Sequence, residues 1–366
     1  MAGRQDDGVE NLGKPETLRE RLTSLVALDF EVATRAAVAV GAPLIVLLAI
    51  GRVDWVAYAT FGAMTALYGR SEPYRVRLRT VSVGGLGMLV AIALGIVMSV
   101  TGASLLVVTA GLIAVIVAGI LLASIVGLFP STPIFFVFAY LVCSQSPTPA
   151  DEAWLRLLVG VIAAMFAWVL TMSGWLLRRV AGTKRAELFK KLPRRSSVRR
   201  AAWRDSRVWL AIAQNIVGVL IAGGLAMLVG IGHPYWAVVS VVAVIPPPGA
   251  AHSTSRAVHR IIGTALGVIV TAMILLPGPP LGVLIAVIIV GQFGAEILVG
   301  RHYGAALLFI TPLALTVSHL ATPVPVSDLL VDRAVETALG GGIAIVLVLF
   351  ARLVAHRLRA DHQSAS

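Results

Sequence analysis

The chain has 366 residues, of which 58% are hydrophobic and 13% charged, with a mean hydropathy of +0.91. A soluble chain carries about 25% charged residues and buries its apolar ones in a core, so this composition excludes a globular domain and indicates a polytopic, all-α membrane protein. The net charge of +12 comes from Lys and Arg set between apolar runs, a matter of topology that calls for no nucleic acid, and the single Cys143 excludes a disulfide framework and a Cys-based metal site.

In chain order, residues 1–28 are polar and mixed in charge and read as a cytoplasmic N-terminal segment, not a cleaved leader. Hydropathy then predicts six spans, 29–50, 53–68, 80–100, 103–121, 131–145 and 153–177, which form a first block over 29–177. A linker over 178–207 holds twelve basic residues against Glu187 and Asp205; it reads either as a topological anchor at the anionic inner leaflet or as a dock for lipid or a partner. Six further spans, 208–230, 235–249, 261–277, 281–298, 303–320 and 334–353, form a second block over 208–353, and 354–366 is a cytoplasmic tail.

Threaded with the N-terminus in the cytoplasm, all of the 30 Lys and Arg fall on the inner side except Arg35, Arg52, Arg156 and Arg333. The positive-inside rule demands this orientation and places both termini in the cytoplasm of a plasma or bacterial inner membrane. An even number of spans per block makes the blocks parallel repeats of about twelve transmembrane helices in all. Gly51 and Gly230 end the first span of each block, and Arg156 and Arg333 start the sixth.

The repeat carries the candidate site. Spans two and eight are short, and span eight runs into Pro246, Pro247 and Pro248, which remove three backbone donors. Paired short or Pro-interrupted spans point to a substrate path. Trp55, Tyr58, Tyr235 and Trp236 open these spans, either as an interfacial aromatic belt or as a stacking surface for aromatic substrates. Basic turns follow, with Arg75, Arg77 and Arg79 in the first block and Arg256 and Arg260 in the second; they are lipid anchors or a cationic vestibule that attracts anions. Arg suits the second role because its planar fork binds a carboxylate. Gly263, Thr264 and Gly267 then permit close helix approach. Charges inside spans are costly, so Arg35 (four residues after Glu31), Glu296 and Glu336 are candidate proton or ion-pair sites. No catalytic constellation, metal set or cofactor motif is visible, so no enzyme activity is expected.

Tyr235-Trp236-Ala237 followed by Arg260-Ile261-Ile262-Gly263-Thr264-Ala265-Leu266-Gly267 resembles the FUSC family, the fusaric acid resistance and aromatic acid exporter-like membrane proteins. The first block follows the pattern loosely, with Thr80 and Val81 where the second has Gly263 and Thr264. Plant malate channels look distantly similar, as dimers of six-span units around an anion path. The resemblance implies efflux of small organic anions, aromatic carboxylates above all, along a path between the two blocks. An anion channel without alternating access and a non-transporting scaffold whose linker docks lipid or a partner are the alternatives. The expected partners are the substrate anions and the lipid bilayer, and a homo-oligomer is compatible with this reading but not required.

Overall fold

The structure is a computed structural model that describes residues 18–70, 72–181, 198–230, 235–248, 254–322 and 324–364. Most of the expected N-terminal segment and the core of the basic linker lie outside the described residues. The described residues form twelve α-helices and no strand: α1 (Leu18–Ala49), α2 (Val56–Ala63), α3 (Tyr74–Val100), α4 (Leu105–Val126), α5 (Ile134–Gln145), α6 (Ala153–Ala181), α7 (Ser206–Leu228), α8 (Tyr235–Val244), α9 (Thr254–Leu275), α10 (Leu281–Leu298), α11 (Tyr303–Ala321) and α12 (Val326–Ser364). Nine are long and apolar enough to cross a membrane. Their outer faces expose large apolar side chains such as Leu86, Leu106, Ile162, Leu228, Met273 and Phe350, which suits contact with lipid rather than water.

The other three are shorter than the full spans expected. α2 has 8 residues between 3₁₀ turns at Val53–Trp55 and Met64–Leu67, α8 has 10 and α5 has 12. At about 1.5 Å per residue none traverses about 30 Å of hydrocarbon. α8 stops because the prolines at 246–248 cannot continue it, and α5 begins only after Pro133, at its N-cap. Every residue of α2 and α8 is buried, so the broken backbone is wrapped in protein, where a membrane tolerates it.

Several long helices start earlier than hydropathy places them. α3, α9 and α12 begin before 80, 261 and 334, so Arg77, Arg79, Arg256, Arg260 and Arg333 lie on helices and not in turns. A hydropathy window ends at a charge, whereas the backbone continues and long side chains reach back toward polar neighbours.

Helix neighbours recur in the same order in the two sets of six. α2 packs on α6 and α8 on α12; α3 lies against α5 and α6 as α9 does against α11 and α12; α1 meets α2 and α6 as α7 meets α8 and α12. Between the sets, α1 packs on α10 and α4 on α7, while α2 meets α11 and α5 meets α8. Gly51 (φ 72°) and Gly230 (φ 75°) terminate α1 and α7 in the left-handed conformation that favours glycine, as expected for span ends. Where α5 crosses to α8, rings bridge the sets: Phe61 to Phe138 at 5.1 Å and Phe138 to Trp236 at 5.0 Å.

Candidate functional site

The two ends of the bundle differ in charge. At one end, here called basic, Arg70, Arg75, Arg256 and Arg301 gather with the loops after α4, α8 and α10; at the opposite, acidic end lie Asp54, Asp151, Glu152, Asp328 and Asp332. Long-range bonds fix these assignments. Arg70 donates to Glu296 at 3.1 Å, Arg199 N to Ile125 O at 2.9 Å, and Arg52 to Glu152 at 2.6 Å.

α8 is the centre of the arrangement. Its first turn carries Tyr235 and Trp236, 5% and 1% exposed. Glu336 of α12, buried, accepts the Trp236 backbone N–H at 3.1 Å, so an acid sits at the positive end of the short helix. At the other end, Arg256 Nε donates to Ala243 O at 2.7 Å and supplies a donor that the prolines remove. The Arg256 guanidinium also lies 4.4 Å from the Tyr303 ring, and Arg260 Nη1 donates to Tyr303 Oη at 3.0 Å. Arg333 of α12 stacks on the Trp236 ring at 4.0 Å. Arg256 and Arg260 thus share Tyr303 near the end of α8, while Arg333 and Glu336 of α12 meet Trp236 at its start, so charged side chains flank the short helix at both ends. A cavity of about 370 Å³ opens beside it at the acidic end, bounded by Gln145, Tyr235, Ser318, Asp328 and Asp332.

The sequence-derived residues therefore divide. Arg260, Tyr235, Trp236 and Glu336 come together, with Arg256 at the edge. Arg77 is buried on the other set, 4.7 Å from the Tyr74 ring, and Arg79 reaches Val126 O at 3.5 Å at the C-terminal end of α4. Trp55 and Tyr58 are buried inside an acidic-end network: Trp55 Nε1 donates to Glu152, Arg52 stacks on the Trp55 ring at 3.7 Å, and Tyr58 pairs with Thr148 at 2.9 Å. Burial fits neither a lipid-facing belt nor an open stacking surface for these two. Hydrogen bonds from Arg52, then Arg156, hold the Glu152 carboxyl below the usual carboxylate range.

Glu296 pairs with Arg70, from the opposite set. Arg35 pairs with Glu31 at 3.8 Å, as their spacing indicates. Gly263 and Gly267 let α9 approach α11: a Cβ at Gly267 would sit 2.7 Å from Leu307 O. Thr264 is buried between them. Pro246, Pro247 and Pro248 follow the end of α8. Sequence reasoning passed over Arg333 as an outer helix end; its signal was a charge one helical turn from Glu336 in an apolar run. Among the described residues no cluster suited to a metal ion occurs.

Residues 209–347, which span α7 to most of α12, match the fusaric acid resistance protein-like family. An uncharacterized protein of Synechocystis sp. is 30% identical over 133 residues, 36% of this chain and 17% of that protein. The chain thus matches only a small part of that relative's length. No solved structure matches.

Proposed function

We propose that this multi-pass membrane chain, whose residues 209–347 belong to the fusaric acid resistance protein-like family, is an efflux transporter for organic anions, with aromatic carboxylates as the preferred class. The observation that carries the reading is the charged interior around α8: three arginines, Arg256, Arg260 and Arg333, against one carboxylate, Glu336, leading to a cavity at the acidic end. The path runs along the seam where α5 meets α8 and α11 lies beside them. The recurrent helix neighbours support two parallel six-helix repeats, each with one short helix facing the seam. The basic end faces the cytoplasm of a plasma or bacterial inner membrane and collects anions, and the acidic end repels them outward after release.

The Phe61–Phe138–Trp236 ladder and the enclosure of Arg333, 1% exposed, favour a carrier that rearranges over a permanently open channel. Inside-negative potential favours exit of a monoanion by about 2.3 kcal/mol per 100 mV, so proton coupling is not needed energetically. The test is accumulation of a panel of aromatic acids in cells. Cells producing the chain should hold less acid than cells without it. Equal accumulation across the panel overturns the exporter reading and leaves the scaffold reading, with the basic linker as its docking segment.

A further inference from the structure

The arginines that open the last helix of each set are equivalent in sequence position but not in bonding. Arg156 is fully engaged. Its Nη1 donates to Pro147 O at 2.7 Å, Tyr58 Oη at 3.2 Å and Thr148 Oγ1 at 3.3 Å, while Nε and Nη2 bond Glu152 at 3.2 and 3.0 Å. Arg333 is buried more deeply, yet among the described residues its Nε and Nη1 have no hydrogen-bond partner and it forms no ion pair. The same holds for Trp236 Nε1, Glu336 Oε1 and Arg260 Nε.

A buried guanidinium whose hydrogen bonds are left unmade is costly, and inside a membrane a charge marks a functional site by default. Here three of the groups with unpartnered atoms meet: Arg333 stacks on the Trp236 ring, and Glu336 accepts the Trp236 backbone N–H.

We propose that Arg333 is the substrate-carboxylate binding residue of this chain, and that the chain holds this site only in its second set of helices. The proposal rests on the organic-anion reading above. The unpartnered N–H groups of Arg333 donate to the carboxylate, and the Trp236 ring forms the wall against which an aromatic body packs. Arg260 leads from the basic end. Glu336 accepts the Trp236 backbone N–H and so helps hold that residue beside Arg333. Arg156, with every nitrogen bonded, holds α6 to the loops beside it and binds nothing.

The experiment is equilibrium dialysis of radiolabelled benzoate against the purified full-length chain in detergent. Arg333→Gln should raise the dissociation constant about tenfold or more, the scale of a lost charge-assisted hydrogen bond. Glu336→Gln keeps an acceptor for the Trp236 N–H and leaves the Arg333 donors in place, so it should bind benzoate about as wild type does, and Arg333→Lys, which keeps the charge, should recover part of the affinity lost in Arg333→Gln, an outcome that misfolding cannot imitate. Arg156→Gln should lower thermal stability and bind benzoate as wild type does. Wild-type affinity in Arg333→Gln, no recovery in Arg333→Lys, or loss of binding in folded Glu336→Gln or Arg156→Gln overturns the site while the organic-anion reading stands. Absence of binding by wild type overturns both.

Discussion

Gly340, Gly341 and Gly342 lie in succession on α12 and offer a sharp test of how the short helix is held. A Cβ on Gly340 would fall well inside van der Waals contact distance of Ala237 O and 2.9 Å from Ser240 Cβ, both on α8. Carbon atoms pack best at about 3.5–4 Å, so α8 and α12 must part by roughly an ångström. Such overpacking costs about 1–3 kcal/mol, and the helix-propensity gain of Gly→Ala returns about 1. Gly340→Ala should therefore show a net loss of up to about 2 kcal/mol. Gly342 has nothing within 4 Å of the added carbon, so Gly342→Ala should gain up to about 1 kcal/mol. Thermal unfolding of the detergent-purified variants reads the order directly: Gly340→Ala below wild type, Gly342→Ala at or above it. Trp236 adjoins Ala237, so Gly340→Ala should also weaken benzoate binding. If Gly340→Ala unfolds at or above the wild-type temperature, the close packing of α8 on α12 described here is wrong.

Two further outcomes follow from the ends of the bundle. Arg256→Gln removes both the donor to Ala243 O and a charge at the basic end, so anion efflux should fall while the amount of protein in the membrane stays the same, and added salt should narrow the difference; full activity at low salt would remove Arg256 from the path. Glu152 is bonded to Arg52 and Arg156, which depresses its folded-state value, so its contribution is present above the ordinary carboxylate value of about 4.3 and is lost as pH falls below it. Glu152→Gln should lower the unfolding temperature at pH 7 and match wild type near pH 3; a deficit that persists in acid would show that the carboxylate charge is not what matters.

Much of this architecture is legible along the chain because it depends on local chemistry. Apolar runs reveal the long helices, Gly51 and Gly230 mark turns that need a left-handed backbone, and Pro246 to Pro248 stop α8. The spacing of Arg260, Gly263 and Gly267 places a charge and a close-packing face on one helix, as the α9–α11 contact bears out. What hydropathy misses is partnership at a distance. Glu296 pairs with a residue 226 positions away. Trp236 and Glu336 are 100 positions apart, so the capping of α8 by a buried acid leaves no local trace. Arg156 and Arg333 look alike in sequence; only their surroundings distinguish a bonded arginine from one with unpartnered donors. Span two reads as short already in the sequence, whereas the shortness of α5 escapes hydropathy because burial in protein, like burial in lipid, selects apolar residues.

The central claim, that an organic anion crosses the membrane through this chain by way of Arg333, is tested most directly in proteoliposomes. Vesicles loaded with radiolabelled benzoate at pH 8, where leak of the neutral acid is small, are given an inside-negative potassium diffusion potential of about 100 mV, worth about 2.3 kcal/mol or roughly fortyfold in the equilibrium gradient. Wild-type vesicles should lose benzoate faster than protein-free vesicles, faster still as the potential grows, and Arg333→Gln vesicles should match the protein-free rate. Wild-type efflux equal to that of protein-free vesicles at every potential contradicts the account.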